Sequence, residues 1–78
     1  MIEDRVRKVM AKVFGMDEVQ IGKDAAPWTI EQWDSLRHMN LVVALEEEFS
    51  VRFTDQQIDE MLNLPLIVMT LKELGAKP

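Results

Sequence analysis

Ser35 and His38 lie three residues apart, and they are the first place in this sequence to look for chemistry. A hydroxyl beside an imidazole on one helix face is the arrangement of an activated nucleophile. Nothing else that a hydrolase needs accompanies the pair. No strand–turn–helix elbow precedes Ser35, no oxyanion hole can be read from the pattern, and 78 residues leave little room for a substrate cleft. A metal centre has less support still, because one histidine among scattered carboxylates is not a ligand set. His38 is expected instead to pack on loop residues near Trp33. Ser35 has a second chemistry open to it. It follows Asp34, a favoured N-cap residue, so it stands where unpaired N–H groups and the positive end of a helix dipole favour an anion. A phosphodiester on the Ser35 oxygen would be stabilised there. Asp-Ser at a helix start is also a common capping pair, and three residues alone decide nothing.

The elements that must position Ser35 follow from apolar spacing. Ile2, Val6, Val9, Met10, Val13 and Phe14 recur at helical intervals, with Glu3 and Asp4 in the first turn and Gly15 after the last, so a helix is expected over 2–14. Residues 15–33 show no period and form a long loop, functional or packed on itself. Ile21, Trp28, Ile30 and Trp33 are expected to pin that loop to the helices. Asp34 then opens a helix over Ser35 to Phe49 in which Leu41, Val42, Leu45 and Phe49 make the core stripe. Leu36, Met39 and Val43 form a second apolar set on a neighbouring face, wide enough to reach the surface as a docking face. Glu46, Glu47 and Glu48 close the helix against its dipole, which suggests a role other than helix stability. Thr54 and Gln57 read as a capping box for a short third helix with Ile58, Met61 and Leu62 as its apolar stripe. Asn63 caps a last helix that tolerates Pro65 in its first turn, turns Ile67, Val68, Leu71 and Leu74 inward and stops at Gly75. The expected architecture is all-α, a single four-helix bundle domain over 1–78 with a long first loop. Its core should yield roughly 3–5 kcal/mol of net stability.

Composition narrows the function. The chain holds 14 acidic and 9 basic side chains, a net charge of −5, which disfavours nucleic acid because phosphate binding relies on Lys and Arg. The charge is uneven: residues 24–63 carry nine acids against Arg37 and Arg52 alone, so the middle of the chain suits a basic protein partner. There is no cysteine, which removes disulfides and thiolate chemistry. No apolar run exceeds the six residues Leu64 to Met69, far short of a membrane span, and the charged stretch Ile2-Glu3-Asp4-Arg5 is not expected to be part of a signal peptide. A soluble, cytoplasmic monomer is the expectation. The six methionines are expected to fill core gaps, with Met61, Leu62, Ile67 and Met69 forming a plastic part of that core.

Asp34-Ser35-Leu36, the run from Leu41 through Glu46-Glu47-Glu48 to Phe49, and the following Thr54-Asp55 resemble the acyl carrier proteins over nearly the whole chain. The resemblance implies the acyl-carrier type of four-helix bundle. It further implies that Ser35, flanked by Asp34 and Leu36, bears 4′-phosphopantetheine attached covalently from coenzyme A by a phosphopantetheinyl transferase. The thiol at the end of that arm would hold an acyl group as a thioester, which a chain without cysteine could then present. By the same resemblance the domain would be no enzyme itself but a carrier, serving acyl-activating, acyltransferase or synthase enzymes with basic docking patches. Their contacts would be Asp34, Leu36, Met39, Val43, Glu46 and Glu47, with Asp55 and Glu60 from the third helix. Fatty-acid-synthesis carriers are usually acidic where Arg37 and Asn40 stand here, and small where Trp33 stands. Trp33-Asp34-Ser35-Leu36 followed by His38 looks more like specialised stand-alone carriers of secondary or cell-surface pathways. A peptidyl or aminoacyl carrier, and an unmodified acidic interaction module, are the alternatives.

Overall fold

A computed structural model describes all 78 residues. Four α-helices follow in order: α1 (Ile2–Phe14), α2 (Ser35–Phe49), α3 (Asp55–Glu60) and α4 (Leu64–Glu73). They are the four expected from apolar spacing, with the all-helical architecture of an acyl-carrier-type bundle. α1 packs against α2 and α4, and the molecule measures 28 × 25 × 19 Å.

Each helix starts and stops for local reasons. α1 ends at Gly15, whose φ of 65° lets its N–H turn back to the Ala11 carbonyl. Asp34 Oδ1 accepts from the Arg37 N–H at 2.8 Å, Thr54 and Gln57 cap each other across α3, and Asn63 Oδ1 accepts from the Leu66 N–H. α2 ends on Ser50 in the left-handed region, with φ 55°.

One core joins the helices. Ile2, Val6, Met10 and Phe14 of α1 meet Leu41, Val42, Leu45 and Phe49 of α2 and Leu64, Ile67 and Leu71 of α4. Val68 and Leu74, expected inside, are half-buried against it.

The long connection between α1 and α2 is packed on itself. A short 3₁₀ turn covers Glu18–Gln20; the Asp17 N–H donates to Gln20 Oε1 and the Gln20 N–H to the Asp17 carbonyl, a closure that the apolar spacing did not announce. The Leu64 N–H donates to the Ala25 carbonyl, tying the loop to the start of α4. Ile21, Ile30 and Trp33 are buried as expected. Trp28 is not: 73% of it is exposed. The Thr29 and Ile30 N–H groups both donate to the Ala26 carbonyl, and Ala26 and Ile30 point inward. Trp28, midway between two inward anchors, rides on the crest of that turn.

The other corrections lie after α3. Leu62 and Met69 were expected in the core, yet they are 46% and 52% exposed, whereas Met61 and Ile67 are fully buried. α3 stops at Glu60, and Met61 takes ψ 65°, outside the helical range. The chain swings there, so Met61 turns in and Leu62 turns out. Met69 stands two residues after Ile67 on α4, on the opposite side of the helix.

Candidate functional site

The site is built at the start of α2. Asp34 is extended, with ψ −176°, and this brings its carboxylate over the first turn of the helix. Its Oδ1 takes the Arg37 N–H, and its carbonyl takes the His38 N–H at 2.8 Å. Ser35 follows as the first helical residue and is exposed. No hydrogen bond within the chain engages its hydroxyl. The N–H groups of Ser35 and Leu36 have no carbonyl a turn earlier to bond, so they face solvent together with the positive end of the dipole. The arrangement offers a free oxygen nucleophile beside two anion-binding donors.

Arg37 folds back on this turn. Its Nη1 lies 3.2 Å from Asp34 Oδ2 and 3.4 Å from the Gln32 carbonyl oxygen. Both side chains of the pair are about half exposed, so the bond contributes about 0–1 kcal/mol. Its larger effect is on charge, because Arg37 offsets the acid next to Ser35.

Leu36, Met39 and Val43 are exposed in sequence along α2, at 72%, 47% and 51%. Glu47 extends the same face one turn beyond Val43, about 18 Å along the axis from Ser35. Asp55 and Glu60 are exposed on α3. The residues expected to meet a partner therefore lie on the surface, with one exception.

That exception is Glu46. Its Oε2 accepts the Phe53 N–H at 2.9 Å, and the side chain is half-buried. Glu46 ties the end of α2 to the link before α3, which gives it a place in the fold. Glu48 is occupied as well. Arg5 Nε donates to its carboxylate at 3.1 Å, Arg5 Nη2 donates to its carbonyl, and the guanidinium lies 4.3 Å from the Phe49 ring centroid. Two of the three acids that oppose the α2 dipole thus have structural partners. On α2 and α3 the acids without a partner in the chain are Glu47, Asp55, Asp59 and Glu60.

This separation gives a measurable expectation. Glu46→Ala leaves a backbone donor without its acceptor and should cost about 1–2 kcal/mol in urea unfolding, whereas Glu47→Ala should change stability by under about 0.5 kcal/mol.

The family model for the phosphopantetheine attachment site matches residues 4–68 of the 78. This chain belongs to that family. Its domains are carriers that other enzymes use as cosubstrate, and they work with a phosphopantetheinyl transferase. The group they hold is 4′-phosphopantetheine, covalently attached. The start of α2 fits such a group: it has an exposed hydroxyl with no internal partner, two free N–H groups and the dipole end to meet a phosphate, and only Asp34 as an adjacent acid. No helix of the chain is long and apolar enough to cross a membrane.

His38, expected to pack on loop residues near Trp33, makes a hydrogen bond with Trp33 itself. Trp33 Nε1–H donates to His38 Nδ1 at 2.9 Å, and the other ring nitrogen lies 2.9 Å from the Ile58 carbonyl oxygen. Both imidazole nitrogens are therefore engaged away from Ser35, and the ring does not serve as its general base. The Ile58 contact was not legible in advance, since no spacing rule joins residues 20 apart.

Proposed function

We propose that this chain is an acyl carrier protein in which Ser35 carries the 4′-phosphopantetheine arm. The observation that carries the reading is Ser35 itself: the exposed first residue of α2, capped by Asp34, within the stretch matched by the attachment-site family. The arm, once attached, supplies the thiol that holds cargo as a thioester. The chain's own residues do the rest. Asp34 holds the first turn in place, and the free N–H groups of Ser35 and Leu36 stabilise the phosphodiester charge. Leu36, Met39 and Val43 offer the apolar part of a docking face, and Glu47, Asp55 and Glu60 offer its acidic part to enzymes with basic patches. Charged contacts of this kind mainly speed encounter, which suits brief visits to several enzymes.

The reading places the domain in the cytoplasm as a monomer, without catalysis of its own, serving fatty-acid, polyketide or other specialised acyl metabolism. The strong acidity, with a sequence pI of about 4.7, favours acyl over peptidyl or aminoacyl cargo. Intact mass after incubation with coenzyme A, Mg²⁺ and a broad-specificity phosphopantetheinyl transferase tests it. The expected result is a gain of one phosphopantetheine. No gain with several transferases would point instead to an unmodified acidic interaction module.

A further inference from the structure

A single imidazole joins the turn that carries Ser35 to α3. An indole nitrogen only donates and a carbonyl oxygen only accepts. With Trp33 Nε1–H on one ring nitrogen of His38 and the Ile58 carbonyl on the other, the proton of the ring sits on Nε2 and the lone pair on Nδ1. The two bonds hold very different partners. Trp33 is 3% exposed, its ring centroid is 5.4 Å from that of Phe14 in α1, and its plane lies within 20° of that of the imidazole, with centroids 6.1 Å apart. It is anchored in the core two residues before Ser35. Apart from Ile58, half-buried against the core, and the buried Phe53 and Met61 that flank it, α3 has few tertiary contacts. None of its six residues is buried, it makes no extensive contact with another helix, and its capping box is internal. His38 itself stands three residues after Ser35, and side chains in a helix lean toward the N-terminus, over the turn that begins with Ser35.

We propose that His38 is a positioning residue that locks α3 to the attachment turn. The presentation of Ser35 and the placement of the acidic α3 surface are then set together, and a partner enzyme meets both as one rigid unit. Coupling of this kind is reciprocal. A partner that grips α3 acts on Ser35, and a change at Ser35 acts on α3. The inference rests on the carrier reading above for its functional meaning, but its physical content is the Trp33–His38–Ile58 chain.

The test measures histidine-ring ¹⁵N shifts, amide hydrogen exchange and loading kinetics on the full chain, in wild type, Trp33→Phe and His38→Gln. The wild-type ring should show a protonated Nε2 and an unprotonated Nδ1. Trp33→Phe removes a donor whose bond reaches α3 only through His38, and should nonetheless raise exchange at the amides of residues 58–61 by about fivefold or more. Loading should lose kcat/KM in the same variant. His38→Gln keeps one donor and one acceptor but cannot place both at the imidazole spacing, so it should move α3 in the same direction. It carries the test if Trp33→Phe loses its helical circular dichroism. Exchange in α3 within about twofold of wild type in the folded variants, or an Nδ1-protonated ring in wild type, would overturn the inference. Failure of the wild type to load would sink the carrier reading alone, because the ring shifts and the exchange still decide the coupling.

Discussion

Ser35→Ala is expected to abolish the mass gain on incubation with coenzyme A and a transferase while the protein stays folded. The substitution removes the only oxygen to which a phosphodiester at this turn could attach. It should cost little elsewhere, because the Ser35 hydroxyl has no partner in the chain and alanine is a strong helix former at an exposed helical position. The cap belongs to Asp34, not to Ser35, and it survives. The expected change in stability is within about 0.5 kcal/mol, the range of surface substitutions away from special features. Intact mass and a thermal melt followed by circular dichroism check both halves. A variant that still gains mass would move the attachment to another residue. A variant that unfolds would mean that Ser35 belongs to the scaffold, and the loss of loading would then say nothing about chemistry.

The largest effect on stability is expected at Met61→Ala. Met61 is fully buried and lies just past the end of α3, between that helix and α4. Truncating a buried methionine costs about 2–5 kcal/mol through lost transfer energy and the cavity left behind. A core of this size yields roughly 3–5 kcal/mol, so the variant should be largely unfolded near 37 °C. Leu62→Ala is the control next door. Leu62 is 46% exposed, and its truncation should cost under about 1 kcal/mol. Urea titration of the pair reads the turn at Met61 directly. Equal losses would mean that Met61 and Leu62 share the core, as the apolar spacing alone suggested.

Two different kinds of interaction account for what could be read in advance. The four helices and their caps depend on residues three or four apart, so Asp34, the Thr54–Gln57 box, Asn63, Gly15 and the stripes of α1 and α2 are legible as text. Ser35 is legible for the same reason, because a helix N-terminus advertises itself locally and the surrounding motif resembles known carriers.

What a side chain does across the fold is not legible. Glu46 and Glu47 are identical neighbours in the sequence, yet only Glu46 reaches the Phe53 N–H, because the link after α2 returns on its side of the helix. Glu48 pairs with Arg5, 43 residues away, once α1 lies along α2. Trp28 and Trp33 look equivalent as loop anchors. The turn at Ala26 points one out, and the hydrogen bond to His38 holds the other in.

Length, acidity, the absence of cysteine, four helices and a capped serine are properties that the sequence determined by itself, through short-range periodicity and composition. The tertiary structure alone decided which acids have partners within the chain, which aromatic residue anchors the loop, and that His38 bridges Trp33 and the Ile58 carbonyl. Those outcomes depend on which faces meet when the long loop closes. Closure brings together groups whose separation in sequence carries no signal.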